Sequence, residues 1–157
     1  MRKMVILIMF MIPGVILAQR TENFTGHWVL VQSSPFESKS NDTILDIVQT
    51  GNALEITQTT TVNGERKVEV SKYTLDGAEN INAIVSGGNP ATIRSKSSWK
   101  NGTLILQGTK TQIALGGEVV GLWKNEYCYS PDHGSLNIGE TIHTPFGDVL
   151  RVKTFKR

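Results

Sequence analysis

Three histidines are the side chains of this sequence best suited to acid–base chemistry, and each lies apart from any partner. Hydrolysis needs a nucleophile with an adjacent base and an orienting acid, yet no Gly-x-Ser-x-Gly segment accompanies His27, His133 or His143. The segment Asp132-His133-Gly134 follows Pro131 and is typical of a turn. We therefore predict that the protein is not an enzyme.

Metal and cofactor chemistry also lack the expected residue spacing. A metal site needs ligands two to five residues apart or a second converging cluster, and the sequence contains neither. The pairs Gly87-Gly88 and Gly116-Gly117 precede β-prone stretches rather than helix N-termini, so they predict hairpin turns and not phosphate-binding loops. His27 has the opposite parity to Trp28 and is expected to point outward, which argues against an interior haem ligand. The sequence thus predicts no metal and no cofactor.

The N-terminus has the layout of a secretory signal peptide. Arg2 and Lys3 precede an apolar stretch that ends at the small residue Ala18, after which the chain becomes polar. The stretch is short for a membrane span, which needs roughly 20 apolar residues. We predict a signal peptide over residues 1–18 and a secreted or periplasmic domain over 19–157, without a stable membrane span after cleavage. An uncleaved anchor is the alternative.

Charge and cysteine content narrow the partners further. The formal net charge is +2, and Arg2 and Lys3 account for it, so the mature chain is neutral. Nucleic-acid binding requires a basic face, and the sequence therefore argues against it. Cys128 is the single cysteine, which excludes an intramolecular disulfide. The oligomeric state is not indicated.

The rest of the sequence consists of β-prone stretches separated by Gly, Asn, Asp and Pro about every ten residues. Asn63-Gly64 and Asn101-Gly102 supply the positive φ that tight hairpins require, and no sustained helical period occurs. We predict an all-β, antiparallel up-and-down meander of about 8–10 strands, closed into a barrel because closure pairs the first strand with the last. The predicted strands are 24–32, 43–50, 53–62, 66–74, 79–85, 91–99, 103–112, 117–129, 135–144 and 148–156.

Alternation along these strands indicates which side chains face the interior. In the third strand Leu54 and Ile56 carry Gln58 to the inner face, and in the sixth strand Ile93 carries Ser95 and Ser97. Small polar groups inside a barrel suit a ligand cavity, but a filled core in which neighbours satisfy them is an equal alternative. Two aromatic residues could line the same space: Tyr127 and Tyr129.

The segment Phe24-Thr25-Gly26-His27-Trp28 resembles the F-x-G-x-W opening of the lipocalin and fatty-acid-binding protein (calycin) superfamily. That resemblance implies that Trp28 plugs one end of the barrel and that Gly26 lets strands pass closely. Tyr73 to Gly77, Trp99 to Leu104 and Tyr127 to Ile138 are similar to a group of short exported bacterial lipocalin-like proteins. The resemblance covers nearly the whole mature chain and implies the fold and compartment more than the function.

The last strand departs from the family pattern. Fatty-acid-binding proteins end in R-x-Y, whose Arg holds the ligand carboxylate, and Lys153-Thr154-Phe155 is the nearest match. Lipocalins stack a late-strand Arg on the plug Trp, and the resemblance makes Arg151 the candidate. Both residues share one face, so both assignments hold only if that face points inward; the apolar residues Leu150 and Val152 favour the opposite face.

These observations lead to two functional predictions. The first is a non-catalytic carrier whose cavity of a few hundred Å³ binds a small apolar or amphipathic ligand. Its predicted contacts are Ile56, Gln58, Ile93, Ser95, Ser97, Tyr127, Tyr129 and, if its face points inward, Lys153. The second is a protein-interaction or inhibitor module that uses the loops around Pro35, Asn89-Pro90 and Pro131 over a filled barrel.

Overall fold

A computed structural model of the chain describes residues 22–33, 42–86, 88–114, 117–130, 133–144 and 147–157. The predicted signal peptide, residues 1–18, and the loop residues Pro35 and Pro131 lie outside the described residues. Ten strands are present: β1 (Gly26–Ser33), β2 (Asp42–Thr50), β3 (Ala53–Val62), β4 (Glu65–Thr74), β5 (Glu79–Ser86), β6 (Asn89–Lys100), β7 (Thr103–Ala114), β8 (Gly117–Ser130), β9 (Ser135–Thr144) and β10 (Gly147–Lys156).

The strands form one antiparallel sheet in the order β4-β3-β2-β1-β10-β9-β8-β7-β6-β5. The predicted meander is confirmed, and so is the pairing of the first strand with the last, since Val29 lies opposite Lys156 and Leu30 opposite Phe155. Each strand begins and ends within two residues of its predicted position. No helix among the described residues is long and apolar enough to cross a membrane.

Two of the predicted Asn-Gly hairpins have the backbone that their sequence requires. Asn63 and Gly64 have φ values of 52° and 82°, and Asn101 and Gly102 have 51° and 78°. Two consecutive left-handed residues suit the right-handed twist of the flanking strands. These turns set the register of β3 with β4 and of β6 with β7, which decides the face to which each side chain points.

The barrel remains without a backbone ladder at one seam, between β4 and β5. Side-chain amides of β5 span part of this seam. Asn82 Oδ1 accepts from the Lys72 backbone N–H at 2.8 Å and its Nδ2 donates to the Lys72 carbonyl at 3.0 Å. Asn80 Oδ1 likewise accepts from the Thr74 N–H at 2.7 Å. Both asparagines are buried, so they replace the missing ladder from inside the wall.

Candidate functional site

The residues of the predicted plug meet at one end of the barrel, which we call the closed end (Phe24, Gly26, Trp28, Trp99 and Arg157). Phe24 and Trp28 are fully buried, and the Trp28 indole donates to the Phe24 carbonyl at 2.9 Å. The Phe24 ring stacks on Trp99 with centroids 5.8 Å apart. A β-carbon at Gly26 would lie 3.0 Å from Arg157 Nε, so the glycine makes room for the guanidinium.

The cation over the Trp28 ring is Arg157 and not Arg151, which corrects the prediction from the resemblance. The Arg157 guanidinium carbon lies 4.7 Å from the ring centroid, and Nη2 donates to the Thr25 carbonyl at 2.8 Å. The register explains the difference. Val29 pairs with Lys156, which brings the end of the chain beside Trp28 and places Arg151 further along the strand.

The inner face of β10 carries Arg151, Lys153 and Phe155. Leu150 is 63% exposed and Val152 is 50% exposed, so the expectation that the apolar pair points inward is wrong. Phe155 is buried against the core, and the side chains two and four residues before it share its face. Lys153 is therefore an interior residue, as one of the two predicted alternatives required.

These inward side chains line a cavity of about 230 Å³ inside the barrel. Apolar groups from β2, β3, β6, β8, β9 and β10 form part of its wall, and charged or polar groups form the rest. The apolar and aromatic lining residues are Leu45, Ile56, Tyr73, Ile84, Val85, Ile93, Trp123, Tyr127, Ile138 and Phe155, and the polar ones are Gln58, Glu69, Ser71, Lys110, Asn125, Glu140, Arg151 and Lys153.

A row of polar side chains crosses three neighbouring strands of the cavity wall. Arg151 lies opposite Glu140, and Glu140 lies opposite Asn125. Arg151 Nη1 and Glu140 Oε2 are 3.7 Å apart. Asn125 Oδ1 is buried and makes no hydrogen bond with the described residues. The row thus presents a cation, an anion and an unsatisfied acceptor to the same space.

Two tyrosines of the cavity are held in their neutral form. Burial raises the pKa of Tyr127 above its ordinary value of 10.0, and the neighbouring Tyr73 and Glu140 add to the effect. Burial also raises the pKa of Tyr73, although a hydrogen bond with Ser71 opposes the shift. At neutral pH both hydroxyl groups are therefore donors as well as acceptors.

Five of the eight predicted ligand contacts line the cavity: Ile56, Gln58, Ile93, Tyr127 and Lys153. Ser95 and Ser97 are buried, as alternation predicted, but neither belongs to the cavity lining. Ser97 Oγ donates to the Thr74 carbonyl at 2.8 Å and accepts from the Gly77 N–H. Ser97 therefore ties β6 to the β4–β5 turn. The side chain of Tyr129 lies outside the described residues.

The sequence reasoning missed four charged or polar lining residues: Glu69, Lys110, Asn125 and Glu140. Alternation could have found them. Leu104 and Leu106 are fully buried on β7, and the same parity leads to Lys110; on β9 the parity of Leu136 and Ile138 leads to Glu140. A charged residue that continues an apolar parity is a signal of a polar cavity.

The cavity reaches the outside along the β4–β5 seam. An open groove of about 650 Å³ runs over this seam and shares Glu69, Ile84 and Val85 with the cavity. The asparagine bridges at Lys72 and Thr74 lie toward the closed end of the same seam. The seam is therefore bridged on one side and open on the other.

The described histidines outside the cavity form exposed pairs with aspartates. His27 Nδ1 lies 2.6 Å from Asp46 Oδ1, and His143 Nδ1 lies 2.7 Å from Asp148 Oδ1. The outward direction predicted for His27 is confirmed, since its side chain is 59% exposed. Within the described ranges, no group of three or more His, Cys, Asp and Glu side chains could hold a metal ion.

Comparison with known proteins supports the architecture through structure alone. No protein-family model matches the chain, and no curated protein matches it. Among solved structures, the zebrafish ileal bile acid-binding protein complexed with cholic acid is similar at a TM-score of 0.55 and 18% identity, covering 85% of this chain and 98% of that one.

A fatty acid-binding protein from Drosophila melanogaster brain is similar at a TM-score of 0.56 and 16% identity, covering 86% of this chain and 100% of that chain. The REP1-NXSQ fatty acid transporter gives 0.56 and 16%, covering 85% and 96%. These structures are calycin barrels. The likeness confirms that the chain folds as a lipocalin-like, ten-stranded and nearly closed barrel.

Proposed function

We propose that the chain is an exported, non-catalytic carrier that binds a small amphipathic molecule inside its barrel. The observation that carries the proposal is the cavity of about 230 Å³, in which one wall is apolar and another presents Arg151 and Lys153. A filled barrel, which the interaction-module alternative required, would leave no such space. The lipid-binding proteins of similar fold support the same class of function.

The charge of the lining favours an anionic group in the ligand head. Lys110, Arg151 and Lys153 contribute three positive charges, whereas Glu69 and Glu140 contribute two negative charges. Ion pairs are stronger in a partly buried site than in water. A molecule that brings a negative charge to Arg151 and Lys153 therefore balances the site, while its apolar part contacts residues such as Ile93 and Trp123.

The volume of the cavity limits the ligand. Typical sites for drug-sized ligands occupy about 300 to 1,000 Å³, and this cavity is smaller at about 230 Å³. We expect the head and the first carbons of the ligand to lie inside. A longer tail would leave through the open part of the β4–β5 seam, where Val68, Val70 and Val85 line the groove.

The proposal is tested by ligand binding to a matched pair of lysine variants. Decanoic acid is titrated against the folded protein by displacement of fluorescent anilinonaphthalene sulfonate. We expect Lys153→Met to raise the Kd for decanoic acid about tenfold, since one charge-assisted contact is lost. Lys156→Met, on the outer face of the same strand, should leave the Kd unchanged. Equal effects of both variants would contradict the site.

A second measurement covers ligands other than decanoic acid. Native mass spectrometry of the gently purified protein should show a stoichiometric small molecule, which denaturation then releases for identification. A clean apo mass, together with no thermal stabilisation by a panel of lipids and metabolites, would overturn the carrier function. The same intact mass tests export, because cleavage after Ala18 removes residues 1–18.

A further inference from the structure

One acceptor of the cavity has no donor. Asn125 Oδ1 is buried and unsatisfied, although buried side-chain oxygens in native proteins almost always accept a hydrogen bond. The amide lies on the inner face of β8 and lines the cavity together with Glu140. Its missing partner must therefore come from the cavity itself.

Carboxylates lie on both sides of the same space. Glu140 is directly opposite Asn125 across the β8–β9 ladder, which places their β-carbons about 4.5–5.5 Å apart. Glu69 projects into the cavity from β4, and its carboxylate makes no ion pair with the described residues. Carboxylate and amide oxygens only accept hydrogen bonds, so this part of the wall requires a donor.

A plain fatty acid does not meet this requirement. Its carboxylate would contact Arg151 and Lys153, but it has no N–H group for Asn125 Oδ1 and it adds negative charge beside Glu140. An unsatisfied buried acceptor carries the full cost of its desolvation. The lining therefore disfavours a head group that is only anionic.

We infer that the ligand head is zwitterionic, with an anionic group toward Arg151 and Lys153 and an adjacent protonated amine toward Asn125 and Glu140. The order of the row supports this arrangement, since the cation of Arg151 and the acceptor of Asn125 flank Glu140 on neighbouring strands. The ligand class is a small amphiphile with an amino-acid-like head. This inference rests on the carrier function proposed above.

Four probes with the same ten-carbon chain isolate the head group: 2-aminodecanoic acid, 2-hydroxydecanoic acid, decanoic acid and decylamine. Binding of each to the full mature chain is measured by dye displacement. We expect 2-aminodecanoic acid to bind about tenfold more tightly than decanoic acid, with 2-hydroxydecanoic acid between them. Decylamine should bind more weakly than 2-aminodecanoic acid, because it leaves Arg151 and Lys153 without an anion.

Variants of Asn125 assign the preference to its side chain. Asn125→Leu, which is similar in size, should reduce the affinity for 2-aminodecanoic acid about tenfold and change that for decanoic acid little. Gln107→Leu, on the exposed outer face of β7, should change neither affinity. If Asn125→Leu does not fold, Asn125→Asp should enlarge the preference for the amine-bearing probe, because a carboxylate is a stronger acceptor.

The outcomes separate this inference from the carrier function. Decanoic acid binding as tightly as 2-aminodecanoic acid would overturn the zwitterionic head and leave the carrier intact. The same preference in wild type and Asn125→Leu would also overturn it. Binding of none of the four probes, with a clean apo mass, would overturn both proposals.

Discussion

The closed end and the cavity share the same strands but differ in what occupies the space between them. At the closed end, Phe24 and Trp28 are fully buried, their polar groups are satisfied within the molecule, and the single cation lies over an aromatic face. In the cavity, five charged side chains surround about 230 Å³ of space, and the Asn125 acceptor is unsatisfied.

The difference separates stability from function. Filled apolar packing stabilises the fold at the closed end, whereas buried charges contribute little net stability because desolvation offsets their attraction. The cavity therefore resembles a site that is maintained for a ligand. Substitutions at the closed end should mainly change unfolding, and substitutions in the cavity should mainly change binding.

The largest expected effect comes from Trp28→Ala. Removal of a fully buried indole should lower the free energy of unfolding by about 3–5 kcal/mol, measured by urea denaturation. Val152→Ala, on the exposed outer face, should change it by no more than about 0.5 kcal/mol. A similar small loss for both variants would show that the closed end does not stabilise the barrel as proposed.

An intermediate effect is expected at the bridged part of the β4–β5 seam. Asn82→Ala removes both hydrogen bonds to the Lys72 backbone and should cost about 1–3 kcal/mol. Hydrogen exchange of the Lys72 amide should become faster, because its acceptor is lost. Ile81→Ala, on the exposed face of the same strand, serves as control; unchanged exchange in Asn82→Ala would contradict the bridge.

The smallest effect at neutral pH is expected for Tyr127→Phe, and it should grow at alkaline pH. The folded-state pKa of Tyr127 is raised above 10.0 by burial, so above about pH 10 the unfolded chain loses this proton while the folded chain retains it. The wild type should therefore lose stability as the pH rises above 10. Urea denaturation of Tyr127→Phe should show a shallower alkaline loss; identical slopes would contradict the shift.

Much of the cavity wall could be predicted from sequence parity. Ile56, Gln58 and Ile93 were placed by alternation alone, because the Asn-Gly turns leave little freedom in register. Ser95 and Ser97 were also assigned to the correct face. Their contacts could not be predicted, since a buried residue faces a cavity or a neighbouring turn depending on its height along the barrel.

The last strand shows why parity sometimes fails. Leu150 and Val152 are apolar, yet they are exposed, whereas Arg151 and Lys153 line the cavity. Apolar residues are common on protein surfaces, so hydrophobicity alone could not orient this strand. Phe155, which is buried, was the better guide, since its parity includes both cations.

The sequence by itself determined the all-β meander, the strand boundaries and the pairing of the first strand with the last, because these follow from local alternation and turn chemistry. Only the tertiary structure decided which cation covers Trp28, how the β4–β5 seam is bridged, and which charges share the cavity. Those features depend on strand register and on contacts between residues far apart in the chain, which a local pattern does not contain.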